Sequence, residues 1–225
     1  MRYFLIVLLL LLGATAPARG ELSVGIGFSV PGLSIGINLP AYPELLRVPG
    51  YPVYYAPRVQ ANFFFYDGLY WLYQGDNWYA SSWYNGPWGL VAPTAVPVFI
   101  LRVPVRYYRA PPAYFGGWPS DAPPRWDEHW GRNWAQERGD WDQRRRSAPP
   151  PAPLPNYQRR YTGPRYPQEE QQRALRDQHY RYQPRDALTR PHVPQRAAPQ
   201  RPPAPAQRPP PGRPANPHAT PPPGR

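Results

Sequence analysis

Asp127-Glu128-His129 is the densest grouping of metal-ligating residue types in the sequence. A bound ion needs its ligands to converge on one point. Consecutive residues on a helix point in different directions, so these three cannot close on one ion. Asp67 and Asp76 supply two carboxylates, the residue type a glycosidase pairs. Both stand in turn dipeptides, where Asp has an ordinary conformational role. The chain has no Cys and no Gly-rich phosphate loop. Without Cys there is no thiol catalysis, no disulfide, no thiolate metal site and no lipid-anchor cysteine. No residue is therefore assigned as catalytic, cofactor-binding or metal-binding, no cofactor is expected, and the chain reads as a non-enzyme.

The chemistry that remains is aromatic. Trp71, Trp78, Trp83, Trp88, Tyr70 and Tyr79 are the candidate ligand-stacking residues. Flat rings stack on sugar faces or on peptide, and indole N–H and phenol O–H groups add hydrogen bonds. The competing reading makes the same rings a structural core. The two differ in exposure: a platform leaves the rings open in a row, and a core encloses them.

The elements that must position these rings follow from turn chemistry. Asp67-Gly68, Gly75-Asp76 and Asn85-Gly86 punctuate Phe63–Val91 at hairpin spacing. Asp-Gly and Asn-Gly suit type I′ turns, and Gly first suits type II′. Tight hairpins then pair Tyr66 with Leu69, Tyr73 with Trp78 and Trp83 with Trp88. One face collects Phe63, Phe65, Tyr70, Leu72, Tyr79, Trp83, Trp88 and Leu90. The other collects Phe64, Leu69, Trp71, Tyr73, Trp78 and Tyr84. Four short antiparallel strands result, aromatic on both faces, so at least one face needs a cover. Leu46-Arg47-Val48-Pro49 and Leu101-Arg102-Val103-Pro104, each followed by a Tyr pair, bracket the block and read as two equivalent covering segments.

The run Trp83-Tyr84-Asn85-Gly86-Pro87-Trp88 spells W-x-x-G-x-W. With Asp67–Trp71 and Gly75–Tyr79 before it, the stretch from about Tyr51 to Tyr108 resembles the uncharacterised exported proteobacterial proteins named for WXXGXW/YXWGXW repeats, in one strict copy. The resemblance implies an envelope location and supplies no activity or catalytic residues.

Composition sets the flanks. Residues 1–20 have a positive start, a ten-residue apolar run and small residues around Ala18 and Gly20, which predicts a cleaved secretory signal peptide. No later stretch is long and apolar enough to predict a membrane-spanning helix in the mature chain. The expected location is exported: periplasmic or outer-membrane-associated in a Gram-negative bacterium, and not a lipoprotein. Residues 21–41 alternate apolar residues with Gly and Ser, as a hairpin or a linker. Residues 42–118 form the expected aromatic β domain. Residues 119–146 predict a helix striped by Trp126, Trp130 and Trp134, with Asp121 as a cap and Glu128–Arg132 among its i,i+4 pairs. Residues 147–225 hold 22 Pro, thirteen Arg and only five aromatics, all Tyr, and predict a disordered basic tail. Within it, Gln168–Tyr182 lacks Pro and suggests a transient helix. The fold class is thus all-β: a small antiparallel meander of aromatic-rich hairpins with an appended helix and a long disordered Pro/Arg-rich tail. Every cation of the chain is Arg, which grips phosphate and carboxylate with two parallel bonds. In an exported protein the tail's partner would be an envelope polyanion (lipopolysaccharide, anionic lipid or polysaccharide) and not nucleic acid. Function reads as a non-enzymatic cell-envelope structural or interaction protein, or alternatively an aromatic carbohydrate- or peptidoglycan-binding module.

Overall fold

The computed structural model describes residues 37–139, 141 and 148–194. The expected signal peptide, nearly all of the expected 21–41 hairpin or linker and the chain beyond residue 194 lie outside the described residues.

Six strands form one antiparallel meander in chain order: β1 (Leu46–Arg47), β2 (Tyr54–Tyr55), β3 (Asn62–Tyr66), β4 (Leu69–Gln74), β5 (Asn77–Ser81) and β6 (Gly89–Val91). The register Tyr66↔Leu69 and Tyr73↔Trp78 is as the turn chemistry predicts. Asp67 and Gly68 have φ of 50° and 88°, and Gly75 and Asp76 have 56° and 63°. Both turns therefore carry positive φ at both central residues, the type I′ signature. For Gly75-Asp76 this corrects the type II′ assignment: Asp tolerates the left-handed region well enough to occupy its second position.

The third turn departs further. Ala80 pairs with Gly89, so Trp83 does not face Trp88 and the stretch 82–88 is a loop. Gly86 alone has positive φ there, +90°, and its N–H donates to the Trp83 carbonyl. Asn85 is withdrawn from hairpin duty because its side chain holds another segment: it accepts from Leu39 N–H at 2.8 Å and donates to the Leu39 carbonyl at 2.7 Å.

The face assignment holds through the central strands. Phe64, Leu69, Trp71, Tyr73 and Trp78 share one core, and Phe63, Phe65, Tyr70, Leu72, Tyr79 and Trp88 share the other. Leu90 keeps the face expected for it, opposite Tyr79, but is 52% exposed. Tyr84 belongs with the second core and Trp83 leaves the sheet, and these two misplacements follow from the absent third hairpin, which had set their register.

Both faces are covered, but not by two equivalent segments. Leu46-Arg47 joins the sheet as β1 because Tyr54-Tyr55 lies antiparallel to it. Leu101 instead ends α1 (Val98–Leu101), a single turn begun by the Pro97 carbonyl, with Ile100 and Leu101 in the first core. Beside α1 on that face lies α2 (Trp126–Glu137), shorter than the 119–146 expected. Gly131, at φ 82° and ψ −178°, kinks it. Trp126 remains at the interface, its ring edge-on to Tyr73 and its indole N–H donating to the Leu101 carbonyl at 2.8 Å. Asp121 does not cap α2 but pairs with Arg106, and Glu128 pairs with Arg125 instead of Arg132.

The second face is covered by chain expected to be disordered. Residues 148–182 cross it as the body of a strap, with α3 (Glu169–His179) inside the Pro-free stretch, and the strap then reaches the first face, where His192 lies edge-on to Trp71 and Val193 packs on the first core. Its five tyrosines do what aliphatic side chains would otherwise do. Tyr157, Tyr161 and Tyr166 pack edge-on around Trp83 at 5.6–5.8 Å between centroids. Tyr180 and Tyr182 lie against the second core. Contacts thus cross the boundaries expected at 118 and 146.

Candidate functional site

None of the six candidate stacking residues presents a ring face to solvent. Tyr70, Trp71, Trp78 and Trp83 are fully enclosed, Trp88 is 6% exposed and Tyr79 9%. They are core: sheet pairing puts Tyr70, Trp71, Trp78 and Tyr79 against covered faces, Trp88 packs from its loop into the second core, and Trp83 is enclosed by the strap's tyrosines.

The turn residues separate into three jobs. Asp67 is a clasp for the strap. Its Oδ1 accepts from the Tyr182 hydroxyl at 2.6 Å and from Arg185 N–H at 3.0 Å, and its Oδ2 accepts from Asp186 N–H at 2.9 Å. Tyr66, its neighbour, donates in turn to Asp186. Gly68 is pressed by the Tyr182 ring, which a Cβ there would meet at 3.0 Å. Asn85 ties the loop to Leu39 and offers its own N–H to the Tyr166 hydroxyl, which donates onward to the Gly86 carbonyl.

Gly75-Asp76 builds the one cluster with the residue types of acid–base chemistry. Asp76 Oδ1 accepts from Tyr73 at 2.6 Å, from Tyr114 at 2.9 Å and contacts His129 Nε2 at 2.6 Å. The two phenol oxygens also lie close to each other. His129 lies flat on Tyr114, ring centroids 4.0 Å apart. Partial burial acts to raise the Asp76 carboxyl, but the donors from Tyr73, Tyr114 and His129 outweigh it and hold it below the usual range. Burial first, and hydrogen bonding to Asp76 with it, push both phenols well up. A carboxylate beside a histidine serves hydrolysis only when the imidazole reaches a nucleophile. Here Nε2 is spent on Asp76 and the ring is pinned against Tyr114. The arrangement fastens three elements instead: the β4–β5 turn, the 3-10 turn Ala113–Phe115 and α2. Sequence reasoning missed this meeting, since Asp76 and His129 stand 53 residues apart. Asp127 and Glu128 do not join it, and among the described residues no three His, Asp or Glu side chains converge as a metal site.

The strap's outer surface is the other feature. Arg159, Arg160, Arg165, Arg173, Arg181, Arg185 and Arg190 are exposed. Four ion pairs occur among the described residues, and none uses an Arg of the strap. The Arg159 guanidinium lies over the Tyr42 ring at 5.5 Å and that of Arg160 over Tyr161 at 5.7 Å, while both residues remain exposed. Tyr161, Arg165, Tyr166, Gln168 and Gln171 line a shallow open groove of about 660 Å³ beside the start of α3. Among the described residues no helix is long and apolar enough to cross a membrane.

No protein-family model, curated protein or solved structure matches the chain.

Proposed function

We propose that the protein is an exported, non-catalytic structural or interaction protein of the bacterial cell envelope, and that it attaches to an envelope polyanion through the strap. The observation that carries this reading is a row of exposed arginines without ion-pair partners on a segment fastened to a folded sheet. A cation on an ordered scaffold loses less conformational entropy on binding than one on a free tail. Guanidinium heads grip phosphate or carboxylate with two parallel bonds. The apolar start of the chain and the resemblance of Trp83–Trp88 to exported proteins point to the same compartment. The sugar-stacking alternative needs open rings, and its six candidates are enclosed.

The test is binding of the mature chain to phosphatidylglycerol vesicles and to lipopolysaccharide across a salt series. Affinity should fall steeply with salt, as screening requires. Replacing Arg159, Arg160, Arg173 and Arg181 with Gln should weaken binding on the order of 1,000-fold, since each cation near an anionic surface contributes about 1 kcal/mol. The melting temperature should not change. Binding that survives the quadruple replacement, or that ignores salt, refutes the reading.

A further inference from the structure

We infer that a small oxyanion, of the phosphate, sulfate or carboxylate class, binds at Arg176 beneath the strap. Arg176 belongs to α3 but turns inward: it is 6% exposed, unlike the seven arginines on the outer surface. Its Nη2 is buried with no hydrogen-bond partner. No carboxylate forms an ion pair with it, and Asp177, the next residue, acts on it only from beyond that range. Its guanidinium lies over Tyr180 at 5.7 Å.

The neighbourhood is a surplus of donors. The Tyr157 hydroxyl accepts from Gln158 Nε2 at 3.1 Å, which leaves its own proton uncommitted. The Tyr157 and Tyr180 rings lie 6.3 Å apart between centroids and the Arg176 guanidinium stands over Tyr180, which places all three in one cluster. The acceptors there are taken. Gln158 Oε1 receives the Tyr70 hydroxyl at 2.9 Å, and the Pro153 carbonyl receives Tyr180 at 2.6 Å.

Donors carrying a full positive charge and facing no acceptor are the complement of an anion. A buried cation is costly unless a counter-charge and hydrogen bonds accompany it. A water molecule could accept one N–H but would return no charge. An oxyanion supplies both, and the planar guanidinium matches its geometry. Arg176 is buried, so a free ion is favoured over a group on a polymer or a bilayer. The residues differ from those on the strap's outer surface, so this inference and the polyanion reading can fail separately.

The experiment is thermal unfolding of the mature chain in phosphate, with chloride holding ionic strength constant. Wild type should gain melting temperature with phosphate and reach a plateau. Arg176→Met should abolish the gain, and Arg173→Gln, exposed on the same helix, should keep it. Tyr157→Phe, which keeps the ring and removes the free O–H, should shift the half-maximal phosphate concentration upward about 5–10-fold, the loss expected for one hydrogen bond. If Arg176→Met fails to fold, the Tyr157→Phe shift decides alone. An unresponsive wild type, an equal gain in Arg176→Met, a Tyr157→Phe curve that overlays wild type, or loss of the gain in Arg173→Gln overturns the inference. Phosphatidylglycerol vesicles should give no Arg176-dependent shift; if they do where phosphate does not, the site takes a lipid headgroup and the free-ion assignment is wrong.

Discussion

Trp83 is where the strap's hold on the sheet can be measured. Trp83→Ala removes a fully enclosed indole, three edge-on ring contacts to Tyr157, Tyr161 and Tyr166, and the N–H donated to the Gln172 carbonyl at 3.2 Å. Truncating a buried Trp costs about 3–5 kcal/mol, and this value already contains much of the ring-contact energy. The Gln172 carbonyl then loses its donor, which adds about 1 kcal/mol if water does not enter. A total near 5 kcal/mol lowers the melting temperature by roughly 10–20 °C for a domain of this size. Every one of those contacts reaches the strap and none reaches β3 or β4, so the loss should be local. Limited trypsin digestion should therefore cut at Arg159, Arg160 and Arg165 much sooner than in wild type. Amide exchange should quicken through 156–180 while β3–β5 stay protected. Trp83→Phe, which keeps a ring and loses the donor, should fall between the two. A Trp83→Ala protein that melts with wild type and resists trypsin at those sites refutes the reasoning. Equal loss of protection in strap and sheet would show that the two do not open independently.

Gly86→Val forces a β-branched residue to φ +90°, and its Cβ would stand 2.8 Å from the Trp88 ring and 3.1 Å from the Trp88 backbone nitrogen. Urea unfolding should register about 2–4 kcal/mol lost. Gly75→Ala, at φ +56° with open space around it, should cost only about 1–2 kcal/mol. Asp67→Asn weakens three bonds to the strap, and amide exchange at 182–190 should quicken at neutral pH without a matching change in β5. The depressed Asp76 carboxyl contributes stability that is complete above the unfolded carboxyl value of about 3.9 and is lost as pH falls through the lower folded value. Asp76→Asn should therefore flatten the stability–pH curve below about pH 4, and an unchanged acid limb would refute the role assigned to the cluster.

The sheet was legible where local chemistry decides it. Asp67-Gly68 and Gly75-Asp76 fix two turns within four residues each, and period-two alternation then sorts Phe63 to Tyr79 between faces. Asn85-Gly86 carries the same kind of signal and misleads, because the Asn85 amide is claimed by Leu39, 46 residues away. No local pattern announces that. The strap was hidden for a different reason. Its composition is poor in aliphatic residues, and a composition argument counts those and not the five tyrosines, all of which fall between 157 and 182 and all of which bury ring area. Their confinement to that part of the tail was a readable sign of attachment. The Asp76–His129 cluster and the inward Arg176 needed the packing of α2 and α3 before they could exist as arrangements at all.

The sheet ends in strands of two residues at β1 and three at β6. Between them lies Asn62-Phe63-Phe64-Phe65-Tyr66, an uncharged aromatic stretch with high propensity to stack into fibrils when its backbone is free. Placed at the centre, it has a neighbour on each side and offers no open row of N–H and C=O groups. The borders that remain open are too short to template a further chain. A meander that tapers in this way can be densely aromatic and still resist self-assembly at the concentrations of a crowded compartment.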